Sequence, residues 1–143
     1  EGTIMPEDIG LLMKQITDSI SREGNSALKE INLTISQMRM LEYLEDHQDE
    51  DTSQRDLEEF FQVTHPTIIG LVKRLEEKGY VSTEISAVDR RVKHVKLTDA
   101  GHQIVNGSMA FHGKEASRML DGFSKEDAAQ LAALLTRVRD NVL

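Results

Sequence analysis

The apolar positions of this chain change their period twice, and the changes divide it into three parts. From about Pro6, the residues Ile9, Leu12, Met13, Ile16 and Ile20 recur at three- and four-residue spacing, the signature of an amphipathic helix. Pro6 suits a first turn, and Glu7 and Asp8 complement the positive end of the helix dipole. Gly24-Asn25 is the expected interruption. A second helix is predicted from Thr34, which can exchange capping-box bonds with Gln37. Met38, Leu41, Tyr43 and Leu44 form its apolar face, and the acidic "EDHQDEDTS" closes it. A short third helix follows Ser53, with Leu57, Phe60 and Phe61 at i, i+3 and i+4. Thr64 as N-cap and Pro66 in the first turn open a fourth, with Ile68, Leu71, Val72 and Leu75 on one face and Gly79 as its stop.

The period then falls to two. "YVSTEIS" sets Val81, Thr83 and Ile85 on one side of a strand. Residues 87–90 turn, and "RVKHVKL" returns with Val95 and Leu97 inward. Helical spacing resumes after Thr98, a cap for a long fifth helix to about Leu120, with Ile104, Val105, Phe111, Ala116, Met119 and Leu120 as its sparser apolar positions. Ser124 opens a sixth, striped by Leu131, Leu134, Leu135 and Val138. The expected fold is mainly α with a small β-hairpin wing. It is a winged helix-turn-helix over about 34–98, flanked by dimerisation helices at about 6–30 and 99–143 within a single 1–143 domain. The flanking stripes exceed what the winged core can cover, so they call for a second copy of the chain.

Charge sharpens this picture. The chain carries 17 Lys+Arg against 25 Asp+Glu, a net of −8, which argues against indiscriminate binding to nucleic acid. Residues 63–98, however, hold seven basic residues against four acidic ones, a local +3 within an otherwise acidic protein. Charges separated by more than a Debye length of about 8 Å largely ignore each other, so an acidic body with one basic face can still bind phosphate. In a winged helix the fourth helix must be polar on its outer side and the hairpin tip must carry long cations. Both conditions hold: Thr67, Ile69, Gly70, Lys73 and Arg74 lie away from the buried stripe, and the tip carries Arg90 and Arg91. An arginine fork suits phosphates and narrow, electronegative minor grooves.

The segments "THPTIIGLVKRLEEKGYV" (64–81) and "DRRVKHVKLTDAG" (89–101), with the order of all six helices, resemble the MarR family of transcriptional regulators. The Asp-x-Arg of 89–91 followed by the Leu-Thr-x-x-Gly of 97–101 is the more specific mark. The resemblance implies a cytoplasmic homodimer whose first, fifth and sixth helices interlock. It implies double-stranded DNA as partner, read as a pseudo-palindrome with half-sites about one helical turn apart. Repression, and release by a small apolar or phenolic ligand, are the usual outcomes in the family. Carried over by position, Thr64, His65, Pro66 and Thr67 open the recognition helix, Arg91 is the wing arginine, and Asp89 orients that arginine or ties the wing to its own domain.

This chain departs from the family pattern in four places. Ile69 and Gly70 stand where a polar and a long basic residue are common, so reading there would rest on a thymine methyl or on close backbone approach. Glu58 replaces a small residue of the third helix, and Gln62 occupies a turn position often held by Gly. The acidic 45–51 loop must face away from DNA.

Other chemistry finds little support. Without cysteine there is no disulfide, thiolate nucleophile or thiol sensor. His47, His65, His94, His102 and His112 include no i, i+4 pair of the kind that converges on a metal. No phosphate loop or nucleophile elbow is present, so neither catalysis nor a cofactor is expected. Met13, Met38, Met40, Met109 and Met119 are expected as core and interface filler, with a few able to line an adaptable ligand cleft. The alternative from another class is a non-enzymatic winged-helix adaptor that binds protein through its acidic surface, with the Arg90-Arg91 tip then no more than a solvated turn.

Overall fold

Three helices begin where a side-chain oxygen and a partner three residues on exchange bonds with each other's backbone N–H groups. In the computed structural model, which describes residues 2, 3 and 5–143 apart from the side chains of 109–111, these caps are Thr34 with Gln37, Ser53 with Asp56 and Ser124 with Asp127. Each satisfies two backbone donors that the first helical turn would otherwise leave unpaired. They open α2 (Ile35–Asp46), α3 (Gln54–Phe61) and α6 (Lys125–Val142). A 3-10 turn at Pro6–Asp8 leads into α1 (Ile9–Leu28). Helix α4 spans His65–Glu77, strands β1 and β2 span Val81–Ile85 and Lys93–Leu97, and α5 spans Asp99–Met119.

The chain divides into two compact units, Glu1–Gly107 and Ser108–Leu143. In the first, Met40, Leu41, Leu57, Ile68, Leu75 and Val95 are fully buried, drawing α2, α3, α4 and β2 into one core. The strands pair antiparallel, Val81 opposite Leu97 and Thr83 opposite Val95. The other edge of β2 is held by the Val95 N–H donating to the Thr52 carbonyl at 2.8 Å and by a bridge from His94 to Ser53. The hairpin is thereby fastened to the entrance of α3. In the second unit, Leu131, Leu134, Leu135 and Val138 form a continuous exposed stripe on α6.

The structure corrects several expectations. Gly24-Asn25 does not interrupt α1. A Cβ at Gly24 would lie 2.6 Å from Cδ1 of Ile35, so α2 packs closely here and an added methyl would have to turn the end of that side chain aside. The Asn25 carboxamide oxygen meanwhile accepts from the Ile35 N–H at 2.8 Å. Ile85 is 59% exposed, because β1 runs past the edge of the core before it ends. Phe60 is exposed too, packed against Tyr43 and Phe61 in an aromatic cluster on the surface. On α5, Ala116 and Met119 are exposed; the expectations for Met109 and Phe111 fall outside the described side chains.

Candidate nucleic-acid interface

Local chemistry sets both ends of α4. Thr64 is its N-cap by backbone position, but its hydroxyl bonds the Thr67 hydroxyl at 2.9 Å and makes no cap bond to a backbone N–H. Pro66 occupies the first turn. At the far end Gly79 turns left-handed (φ 79°), and the N–H groups of Gly79 and Tyr80 donate to the carbonyls of Glu76 and Leu75. This is the six-to-one and five-to-two pattern that ends a helix and frees the chain to begin a strand. Gln62, in the turn before α4, also has a left-handed backbone (φ 53°), the conformation for which Gly is the usual choice.

With Ile68, Val72 and Leu75 buried, α4 exposes Thr64, His65, Pro66, Thr67, Ile69, Lys73 and Arg74, as the spacing predicts. The side chains of Lys73, Arg74 and Arg90 are hydrogen-bonded or ion-paired to none of the described residues. Gly70 is half-buried, yet a Cβ built there meets nothing within 4 Å. Its own fold therefore does not require glycine at a mid-helix position where glycine costs about 1 kcal/mol relative to alanine.

Sequence reading left one contact of this surface unseen. Nδ1 of His65 is bonded to a carboxylate oxygen of Glu58, which reaches across the turn from α3. The Glu58 side chain is mostly covered while the imidazole is largely exposed. No helical spacing signals such a pair, since it depends on the angle between two helices.

The wing tip is organised by Asp89. One carboxylate oxygen accepts from the backbone N–H of Arg91 at 3.0 Å and from its Nε at 3.1 Å; the other accepts from Nη2 at 3.1 Å. This two-pronged pairing aims the guanidinium, and the same bonds hold the Asp89 carboxyl below the usual aspartate range. Of the two roles expected for Asp89, the geometry displays the orienting one. The Ser86 hydroxyl, a second unforeseen contributor, accepts from the N–H groups of Val88 and Asp89. Arg91 and Val92 belong to this turn, so β2 starts at Lys93, two residues later than the alternation suggests.

The trailing Leu-Thr-x-x-Gly has a packing role. The Thr98 hydroxyl donates to the Gly79 carbonyl at 2.6 Å and accepts from the Gly101 N–H at 3.2 Å. A Cβ at Gly101 would sit 2.2 Å from the backbone oxygen of Tyr80. Strand, helix end and α5 thus meet where only glycine fits. At the end of α2 Glu45 is paired with His102, and in the acidic loop that follows Asp51 lies 3.6 Å from Lys96. Among the described residues no cluster of three metal-ligating side chains occurs, and no helix is long and apolar enough to cross a membrane.

Residues 31–92 match the model of the MarR family. Among solved structures, the chain is similar to MepR of Staphylococcus aureus in a complex with DNA, with 25% identity, all of both chains covered and a TM-score of 0.90. The transcriptional regulator SlyA matches at 26% identity over 94% of each chain, with a TM-score of 0.87. The regulator MarR of Oenococcus oeni PSU-1 matches at 28% identity over 93% of this chain and 99% of its own, with a TM-score of 0.76.

Proposed function

We propose that this chain, whose residues 31–92 match the MarR family model, is a winged-helix DNA-binding transcriptional regulator that acts as a homodimeric repressor on a pseudo-palindromic operator. The observation that carries the reading is the aimed Arg91 guanidinium on the wing, held by Asp89, on the same compact unit as a helix whose outer face leaves Lys73 and Arg74 without partners among the described residues. In this reading Thr64, His65, Pro66, Thr67, Ile69 and Gly70 enter the major groove, Lys73 and Arg74 meet phosphate, and Arg91 enters the minor groove with Arg90 beside it. Ile69 would contact a thymine methyl, and Gly70 would let a base edge or the DNA backbone come close to the helix.

Two copies joined through the apolar stripes of α1 and α6 would present two such surfaces. A two-fold protein reads a two-fold site, with half-sites about one helical turn apart. Occupying the operator would block transcription, and a small apolar or phenolic ligand would release it. The protein works without catalysis or a cofactor, in the cytoplasm, and the whole of 1–143 serves as one functional domain. Selection of bound sequences from random double-stranded DNA tests specificity and symmetry together. Enrichment of an inverted repeat is expected; a pool that stays random at low salt would refute the reading and leave the protein-binding adaptor in its place.

A further inference from the structure

We infer that Glu58 is a positioning residue that sets which hydrogen-bonding face His65 turns toward DNA, and so selects an amino-bearing base, adenine or cytosine, at the position under His65. The inference rests on the proposed placement of α4 in the major groove and adds a base preference to it. His65 is the first residue of α4, and its ring is bonded through Nδ1 to the Glu58 carboxylate. A carboxylate only accepts, so the hydrogen of this bond sits on Nδ1. In the neutral imidazole the other ring nitrogen, Nε2, then carries a lone pair and acts as an acceptor. The ring is largely exposed while Glu58 is mostly covered, so the partner of Nδ1 comes from the protein and Nε2 is the nitrogen left for a ligand.

Base edges in the major groove differ in this respect. Adenine N6 and cytosine N4 offer hydrogens, whereas guanine offers the acceptors N7 and O6. An Nε2 lone pair is matched by the first two and opposed by the third. A histidine with its hydrogen on Nε2 would prefer guanine, so Glu58 decides the sign of the preference without touching DNA. The contact is built by α3 and α4 within one compact unit.

The test is selection from random DNA at about pH 8.5, above the ordinary imidazole range, with the wild type, His65→Ala, Glu58→Gln and Glu58→Ala. His65→Ala locates the position by losing preference there. The wild type should favour adenine or cytosine over guanine at that position by about 5-fold or more. Glu58→Gln and Glu58→Ala should reduce or reverse that ratio while leaving the other positions of the motif unchanged. Nitrogen NMR of the DNA-free protein gives a second readout that a merely structural role would not move. The His65 hydrogen should reside on Nδ1 in the wild type and shift toward Nε2 in Glu58→Ala. An enriched motif whose preference ignores both His65 and Glu58, or a wild-type ring with its hydrogen on Nε2, overturns this inference alone. A pool in which no motif emerges overturns the DNA-reading assignment together with it.

Discussion

At the scale of single residues, Asp89 and Arg91 form a surface pair whose geometry matters more than its strength. Both side chains are substantially exposed, so their attraction is screened by water and salt. What the pair supplies is direction, because the guanidinium is held by two bonds before any ligand arrives. The Asp89 carboxyl is lowered by its Arg91 bonds. Its contribution to the wing turn is therefore complete above the ordinary aspartate range and is lost as pH falls through the lowered value. Carbon NMR titration should find the Asp89 midpoint below that of a free aspartate, and Arg91→Ala should raise it. An unchanged midpoint in the variant would mean that Arg91 is not its cause. Asp-x-Arg was legible as a unit because its partners are two positions apart. The Glu58–His65 contact was not, because it needs the crossing of α3 and α4.

Glycines at the scale of elements separate packing from recognition. Gly101 faces the Tyr80 backbone oxygen at a distance no side chain tolerates, so Gly101→Ala must push α5 off the hairpin. Overpacking against rigid backbone should cost about 2 kcal/mol or more, read from urea unfolding. Gly24→Ala meets Cδ1 of Ile35, an atom at the end of a side chain that can turn, and gains helix propensity. Its net effect should lie within about 1 kcal/mol of zero. Gly70→Ala meets nothing, so it should stabilise the protein by about 0.5–1 kcal/mol yet weaken DNA binding. A stabilised variant with unchanged affinity would place Gly70 outside the interface. The capping boxes of α2, α3 and α6 were readable because they are local in sequence. The roles of Gly24 and Asn25 were not, since both depend on Ile35, eleven and ten residues on. Alternation assigned Ile85 to the inner side of β1, but the strand outlasts the core beneath it, and the length of a core is a tertiary property.

For the whole molecule, charge is the quantity that joins sequence to function. A net of −8 per chain becomes −16 in a dimer, and such a particle would be repelled by DNA if its charge were spread evenly. Lys73, Arg74 and Arg90 have no partner among the described residues and Arg91 is paired only with Asp89 of its own turn, while Glu45 at the end of α2 and Asp51 in the loop after it are engaged by His102 and Lys96. Binding should then behave as the work of Lys73, Arg74, Arg90 and Arg91 from two protomers. If each neutralises one phosphate, the logarithm of the association constant should fall against the logarithm of salt concentration with a slope of about −7. Arg91→Ala removes one contact per protomer and should make that slope shallower by about 2. A charge change at α6 gives the control for assembly. Leu134→Glu places a carboxylate in the exposed apolar stripe, so it should yield monomers by light scattering and weaken operator binding at fixed salt, with the two half-sites no longer bound as one. If Leu134→Glu stayed dimeric at micromolar concentration with full affinity, the stripe of α6 would not be the dimer contact. If the Arg91→Ala slope matched the wild type, the wing would be standing clear of the DNA.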